Sequence, residues 1–349
     1  MNEVADLAPA IPAIALAPPA AESATRNSAL DFTKGFLVYL MVFYHWSNYF
    51  VGPSSIYKYI RFLTPSFIFI TGFIVSSIYF VKYDIHDLRL PMRLAIRGLK
   101  IIAVFVALNA IVSAVLPIDS MHHPPMTQLL VTHLIGTATP GVKEAAFPVL
   151  VPIGELLLLS AVLVFAYRLS RFVVHVCCAL AFAAVILLGM SGIDNPNADL
   201  IAIGLLGMVL GMVPLSRLMS VVERPVILAI AYLLFDIAVS HWGEIYALQV
   251  LGVCLSVAVI YLVGASVWAA SWLGRIVVLI GKYSLAGYIS QIAILQVLRR
   301  TMTTNTLGTY RFALSFVLAF VLTTLSIMLL SSARRRSGAI DRSYKFVFA

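Results

Sequence analysis

Residues 28–50, SALDFTKGFLVYLMVFYHWSNYF, form an apolar run that is long enough to cross a bilayer and yet contains Asp31, Lys34 and His45. At about 3.6 residues per turn, Lys34, Met41 and His45 lie on one stripe of a helix, with the two polar heads about 16 Å apart along its axis. A Lys or His inside a spanning helix costs about 2.5 kcal/mol or more, and such residues usually face a bundle interior or a wet cavity. The pattern therefore predicts that this stripe is one wall of a site.

The whole chain has the composition of a membrane protein. Of its 349 residues, 61% are hydrophobic and 11% are charged, and apolar runs recur along its full length. We therefore predict an all-α, polytopic transmembrane helical bundle with about ten spanning helices and no separate soluble domain. The predicted spans are residues 30–50, 60–81, 97–116, 147–167, 172–190, 199–215, 225–241, 246–268, 275–297 and 312–332.

The distribution of basic residues predicts the orientation. The net charge of +9 would fit nucleic-acid binding in a soluble chain, but here the basic residues lie between spans, where positive-inside bias explains them, and we expect no nucleic-acid partner. With a cytoplasmic N-terminus, the inner segments hold 16 basic residues and the outer segments six, although Arg299 and Arg300 in the last outer loop break the bias. We expect an integral protein of a bacterial inner membrane with both termini cytoplasmic.

The two ends of the chain differ from its middle. Residues 1–25 are rich in Ala and Pro and predict a disordered tail, and residues 26–332 form the predicted transmembrane domain. Residues 333–349 predict a basic cytoplasmic tail that anchors on anionic lipid. The adjacent His122 and His123 lack the spacing of metal ligands on one helical face, so we assign no metal site.

A basic face follows the second span, in the inner segment KYDIHDLRLPMRLAIRGLK. Arg89, Arg93, Arg97 and Lys100 recur every three or four residues and so share one side of a helix. One interpretation is a positive-inside anchor. The other is that Arg93, Arg97 and Lys100 bind the phosphates of an anionic donor in the cytoplasm.

Two later spans carry polar residues at membrane depth. Glu155 lies well inside the fourth span, where a carboxylate is either a structural ion pair or protonated acid, or takes part in catalysis or acceptor binding. The ninth span predicts either polar contacts between helices or part of a cavity. The cavity residues there would be Lys282, Tyr283, Ser284, Tyr288 and Gln291, with Asp31 added from the first span.

Several segments resemble integral-membrane acyltransferases of the acyltransferase-3 family. RNSALDFTKGFLVYLMVFYH, which begins at Arg26, is similar to the opening of that family, in which a basic residue precedes a catalytic His. Lys34 stands where the family has a second Arg, and His45 falls at the His position. TPSFIFITGF, VLVPIG and IGKYSLAGY resemble segments of the related heparan-alpha-glucosaminide N-acetyltransferase-like proteins. Many relatives have a His where this chain has Gln291, a departure from the pattern.

The resemblance implies transfer of an acyl group, commonly acetyl, from cytoplasmic acyl-CoA to a hydroxyl or amine of a cell-envelope carbohydrate. Arg26, Arg93, Arg97 and Lys100 would bind the donor, whereas His45, Lys34 and Glu155 would act in catalysis, with His45 as general base or acyl carrier. Acyl-CoA is then a co-substrate, no cofactor is bound, and the other partners are the lipid bilayer and a glycan or glycolipid. His45 could instead only hydrogen-bond across helices. The alternatives for the whole protein are a transporter or flippase without chemistry and an envelope scaffold, although no internal repeat supports transport.

Overall fold

The computed structural model describes residues 27–52, 56–80, 83, 87–115, 126–136, 147–214, 217–218, 224–243, 245–266, 270–302, 308 and 310–348. All the regular structure in these ranges is helical. The helices are α1 Ser28–Trp46, α2 Tyr57–Ile60, α3 Leu63–Ile74, α4 Arg89–Val115, α5 Met126–Ile135, α6 Leu150–Leu169, α7 Val173–Met190, α8 Pro196–Gly211, α9 Pro225–Trp242, α10 Tyr246–Ala265, α11 Trp272–Lys282, α12 Ser284–Thr301, α13 Tyr310–Arg336 and α14 Gly338–Phe348. Short π-helical turns, Ser47–Val51 and Val75–Tyr79, extend α1 and α3. The N-terminal tail of residues 1–25 and Arg26 lie outside the described residues.

The protein is an integral membrane protein with fewer candidate spans than the sequence predicts. Among the described residues, seven helices are long and apolar enough to cross a bilayer: Tyr57–Tyr79, Arg89–Val112, Leu150–Leu169, Val173–Met190, Pro225–Trp242, Tyr246–Ala265 and Tyr310–Arg336. An eighth is added if α11 and α12, which meet at an angle of 94°, are counted as one broken span. Ten spans are therefore not confirmed. The predicted span 199–215 corresponds to α8, which has only 16 residues, and the predicted span 275–297 is bent rather than straight.

The remaining predicted span, 30–50, corresponds to α1, which lies at the centre of the bundle. α1 contacts α3, α10, α11, α12 and α13, so protein surrounds it on several sides. Asp31, Lys34 and His45 lower its hydropathy, and a helix enclosed by other helices can carry such residues because they face protein rather than lipid. α1 and α3, which correspond to the first two predicted spans, contact each other.

Glycines set the closest helix crossings. A Cβ on Gly281 of α11 would overlap the Asp31 carbonyl oxygen of α1, and a Cβ on Gly35 would overlap the Val277 carbonyl oxygen. On α3 and α8, a Cβ on Gly72 would in the same way overlap the Gly204 carbonyl. Small residues of this kind allow backbone-to-backbone packing between membrane helices. The crossing of α1 and α11 fixes the position of the helix that carries His45.

Candidate functional site

The polar groups at the Ser28 end of α1 are paired. The Asn27 side chain caps the helix by accepting from the Ala29 and Leu30 amides at 3.0 and 3.2 Å, and its amide donates to the Tyr261 hydroxyl at 2.7 Å. Asp31 is only 3% exposed and forms an ion pair with Lys34 at 2.7 Å. A carboxylate in the first turn also suits the positive end of the helix dipole. These groups form a closed network at this end of α1.

α11 and α12 separate at Tyr283. Its amide still donates to the Ile280 carbonyl at 3.0 Å, but its backbone, with φ −117° and ψ 29°, leaves the α-helical region, and the chain turns by 94° before α12 begins at Ser284. Lys282 is exposed at this corner. The predicted cavity group is therefore divided. Lys282, Tyr283 and Ser284 lie at the corner, while Tyr288 and Gln291 lie along α12.

Aromatic rings surround His45 near the Trp46 end of α1. The centroid of its imidazole lies 5.2 Å from that of Tyr44, 6.3 Å from that of Tyr49 and 6.4 Å from that of Tyr288. The Nε2 atom of His45 is buried and has no hydrogen-bond partner among the described residues. Since a buried polar atom without a partner costs about 1–3 kcal/mol, this nitrogen is a strong candidate for contact with a ligand. Because α1 runs unbroken from Lys34 to His45, the two residues share one face, as the spacing predicts.

Gln291, on the neighbouring helix α12, also has buried polar atoms without a hydrogen-bond partner among the described residues. Its side chain is 0% exposed, and neither its amide nitrogen nor its carbonyl oxygen has a partner in the described part of the chain. Tyr288, one turn earlier on α12, is buried beside His45 and also contacts the ring of Phe147 at 5.8 Å. Phe147 adopts a positive φ of 62°, which is uncommon for a residue other than glycine and is often found at functional sites.

The ring cluster continues outward from Tyr49. Gln296 donates to the Tyr49 hydroxyl at 2.9 Å, and the Arg299 guanidinium lies 5.6 Å from the Tyr49 ring centre. On the other side, the Tyr57 ring packs edge-on against Tyr44 at 5.5 Å and its hydroxyl donates to the Gly52 carbonyl at 2.9 Å. These contacts hold the rings that surround the imidazole. The sequence analysis did not identify any of these residues as site residues, because Tyr and Gln near helix ends have no motif of their own.

The predicted basic face forms the first turns of α4. Arg93 donates to the Tyr83 hydroxyl and Arg97 donates to the Tyr79 hydroxyl, both neutral partners, so the two guanidiniums keep their charge for an anion. Lys100 lies 5.7 Å from the centre of the Phe346 ring, which belongs to α14. The C-terminal helix α14 therefore packs against the same helix that carries this face.

α14 is also tied to the corner at Tyr283. The Arg334 guanidinium lies between two rings, 5.2 Å from Tyr283 and 3.9 Å from Tyr344, and the two rings are in contact. Arg334 also forms an ion pair with Asp341, whose second carboxylate oxygen accepts from Lys345 at 2.7 Å. Hydrogen bonds from Lys345 and Arg334 hold the pKa of the Asp341 carboxyl below its usual range. Residues 333–349, predicted as a tail, thus include a helix packed on the bundle.

Glu155 lies in another part of the bundle. Its carboxylate accepts from the Asn197 side chain of α8 at 3.2 Å, and the same Asn197 amide donates to the His133 carbonyl of α5 at 2.8 Å. These contacts place Glu155 where α5, α6 and α8 meet. No contact of Glu155 with the rings around His45 occurs among these bonds, so its predicted catalytic role gains no support from the geometry.

A separate apolar groove lies on the far side of α1 from His45. Its volume is about 680 Å³, and its lining includes Phe36 and Leu40 of α1 together with Tyr59, Tyr232 and Asp236. Phe36 precedes His45 by nine residues, which is two and a half turns, so the two side chains point in opposite directions. The groove is therefore distinct from the candidate site.

Among the described residues, no three His, Cys, Asp or Glu side chains lie together in a way that could hold a metal ion. The buried side-chain N and O atoms that lack a partner in the described ranges all belong to α1, α12 and α13, three helices that contact one another. They are His45 Nε2, Gln291 Oε1 and Nε2, Arg311 Nε and Thr323 Oγ1. No family model, curated protein or solved structure matches the chain. The described geometry thus identifies a polytopic helical membrane protein with seven or eight candidate spans, whose polar candidate site lies between α1, α12 and α13.

Proposed function

We propose that this protein is a membrane-bound acyltransferase that moves an acyl group, such as acetyl, from cytoplasmic acyl-CoA to a carbohydrate of the cell envelope. The observation that supports this most directly is the His45 imidazole, whose buried Nε2 atom has no partner among the described residues and is enclosed by three tyrosine rings. A neutral imidazole nitrogen can accept the proton of an attacking hydroxyl, which is what a general base requires.

In the proposed reaction the acceptor hydroxyl attacks the thioester carbonyl of acyl-CoA. A carbon–oxygen bond forms, the carbon–sulfur bond breaks, and His45 takes the hydroxyl proton and passes it to the departing thiolate. His45 could instead carry the acyl group on Nε2 before the acceptor takes it. In either route, the Gln291 amide can donate to an oxygen on the acyl or acceptor group and accept from a hydroxyl, because both of its polar atoms are free of protein partners in the described ranges.

The donor would bind at the opposite end of α1. Lys34 is 19% exposed beside Asp31, and the basic face on α4 keeps two guanidiniums bonded only to neutral tyrosine hydroxyls in the contacts described above. Guanidinium groups bind phosphate oxygens through paired N–H donors. Lys34 and His45 lie about 16 Å apart along the helix axis, so α1 connects a donor end with an acceptor end across half of a membrane.

A transporter is the second candidate, and one specific observation favours it. α11 and α12 form a helix pair broken at 94°, and discontinuous helices often line the substrate sites of secondary transporters. Only one such pair occurs among the described residues, whereas many transporters have a matching pair in each half of the chain.

His45→Gln separates the two candidates. Gln can hydrogen-bond but can neither accept the proton nor carry an acyl group, so acyl transfer should fall at least about 10²-fold while the protein still inserts and binds acyl-CoA. The measurement is mass spectrometry of envelope glycans from cells that express each variant, together with acetyl-CoA binding to the purified protein.

His175→Gln is the matched control, since His175 is exposed on α7 and packs only against Phe172 among the ring contacts described. Its glycans should be acylated as in the wild type. Near-normal acylation by a folded His45→Gln protein would contradict the assignment of His45 as a catalytic residue. A glycan that reaches the far side without any acyl group, in wild type and variant alike, would favour transport.

A further inference from the structure

Two arginines contact neighbouring rings at the Trp46 end of α1. The guanidinium of Arg299, near the end of α12, lies 5.6 Å from the Tyr49 ring centre, and that of Arg311, at the start of α13, lies 5.3 Å from the Phe50 ring centre. Tyr49 and Phe50 are neighbours in the π-helical turn Ser47–Val51 that extends α1. Two helices thus direct one cation each at the same turn.

The ring contacts leave the hydrogen-bond donors of these guanidiniums available. A guanidinium that lies over a ring uses its flat face, whereas its N–H groups point outward in the plane. In the described part of the chain, neither arginine has a carboxylate partner, and the Nε atom of Arg311 is buried without an acceptor. An oxygen supplied by an anionic ligand would satisfy that donor.

The arginine pair is connected to the candidate catalytic residue through one ring. Tyr49 lies 6.3 Å from the His45 imidazole on one side and 5.6 Å from the Arg299 guanidinium on the other, and Gln296 fixes its hydroxyl. An anion held by Arg299 is therefore separated from His45 by a single aromatic ring. One ligand can reach both residues.

We propose that Arg299 and Arg311 form an anion-binding mouth for the acceptor, which therefore carries a phosphate or carboxylate group close to the position that is acylated. This inference rests on the proposed function for the identity of the ligand as the acceptor. The chemistry follows from the residues themselves, because an arginine fork matches phosphate and carboxylate oxygens, and two such cations oppose the binding of a positively charged acceptor. The mouth also explains why this end of the protein departs from positive-inside bias.

The first test measures binding without any acyl donor, so its result does not depend on acyl transfer. The purified full chain in nanodiscs of phosphatidylcholine is titrated with glucose, glucuronate and glucose 6-phosphate, and tryptophan fluorescence reports binding because Trp46 stacks on Phe50 at 6.5 Å. Glucuronate and glucose 6-phosphate should bind and glucose should not. Arg299→Gln and Arg311→Gln should each weaken anion binding at least about tenfold.

Arg300→Gln is the matched control, because Arg300 is exposed next to Arg299 on α12 and has no ring contact or ion pair with any residue that the structure describes. It should bind all three sugars as the wild type does. The proposal is overturned if neither anionic sugar binds more tightly than glucose, or if Arg300→Gln weakens binding as much as the other two variants.

A second arm separates the acceptor from a lipid headgroup as the source of the anion. The titration is repeated in nanodiscs that contain phosphatidylglycerol. If sugar binding is retained, the mouth takes a group from the aqueous side, as proposed; if the anionic lipid abolishes it in the wild type, the mouth binds a headgroup and the acceptor assignment is overturned. The sugar titration contains no acyl donor, so a failure of acyl transfer in the His45→Gln experiment and a failure of this mouth give different results.

Discussion

In the half of α1 that begins at Ser28, Asn27, Asp31 and Lys34 have partners, and the Thr33 hydroxyl donates to the Ala29 carbonyl at 2.8 Å. In the half that ends at Trp46, the buried Nε2 of His45 has no partner among the described residues, and neither has the amide of Gln291 on the helix beside it. The two halves belong to one unbroken helix in one bundle. The proposed function accounts for the difference, because it places ligand contacts at the end that holds His45 and Gln291.

The difference separates groups that hold the fold from groups that await a ligand. A paired buried ion stabilises the structure only as long as both members are present, whereas an unpaired polar atom costs stability in the free protein and is retained when binding or chemistry needs it. This distinction makes opposite predictions for substitutions at the two ends. Removing a partner at the Ser28 end should destabilise the protein, and removing an unpaired group at the other end should stabilise it.

The largest effect is expected from Asp31→Leu. The substitution leaves the Lys34 ammonium without its carboxylate inside the bundle, and breaking a buried ion pair in this way typically costs about 3–5 kcal/mol. Since Lys34 is 19% exposed, we expect a loss toward the lower part of that range. The measurement is the free energy of unfolding in detergent micelles, determined by chemical denaturation.

The control for this experiment removes both charges. In Asp31→Leu with Lys34→Met, both charges of this pair are removed, so much of the lost stability should return, because apolar replacements of buried ion pairs are often tolerated. If the double variant is as unstable as Asp31→Leu alone, the ion pair is not what stabilises this end of α1.

Gln291→Met should have a smaller effect of the opposite sign. It removes two polar atoms that have no partner among the described residues and keeps a similar volume, so the free energy of unfolding should rise by about 1–3 kcal/mol while the proposed acyl transfer falls. Thermal denaturation in detergent and glycan acylation in cells give the two readouts.

Gln296→Met is the matched comparison, since the same change on the same helix removes the hydrogen bond to the Tyr49 hydroxyl. It should lower stability by about 1 kcal/mol. A Gln291→Met protein that is destabilised as much as Gln296→Met would show that the Gln291 amide has a structural partner, and the contrast between the two halves of α1 would not hold.

Part of this arrangement can be predicted from the sequence. The helical class and membrane character follow from composition, and the shared face of Lys34 and His45 follows from helical spacing. The number of spans cannot be predicted in this way, because the hydropathy of a segment reports its composition and not the direction of its helix axis. The turn of 94° at Tyr283 occurs within a segment that is apolar enough on average to predict one straight span, although Lys282 and Ser284 flank the turn. It accompanies the close contact of Gly281 with the Asp31 backbone, which no local pattern encodes.

The candidate site shows the same limit. His45 and Gln291 are noticeable in the sequence because polar residues are rare inside apolar runs. The rings of Tyr44 and Tyr49, in contrast, are ordinary near the end of a membrane helix, and their role becomes visible only when α12 brings Tyr288 to the same imidazole. In the sequence, Arg299 stands out only as an exception to the charge bias. Its contact with the Tyr49 ring depends on the fold and has no sequence signal.

The smallest effect is expected at the C-terminal helix, where Asp341 forms ion pairs with Arg334 and Lys345. Asp341 accepts from Lys345 and Arg334, and these bonds hold the pKa of its carboxyl below the usual value near about 4. A carboxyl with a lowered pKa in the folded state contributes fully above the unfolded pKa, and its contribution is lost as the pH falls through the folded value. The Asp341 carboxyl is partly exposed to solvent, so its contribution is modest and is screened by salt. We therefore expect α14 to stay docked at neutral pH and to loosen below about pH 4, since Tyr, Lys and Arg do not titrate in that range.

A nitroxide label at Ser343, which is exposed, reports this loosening of α14 as a gain in mobility between pH 7 and pH 3. Asp341→Asn should be mobile at both pH values, and a variant that still shows the full transition would assign it to another group.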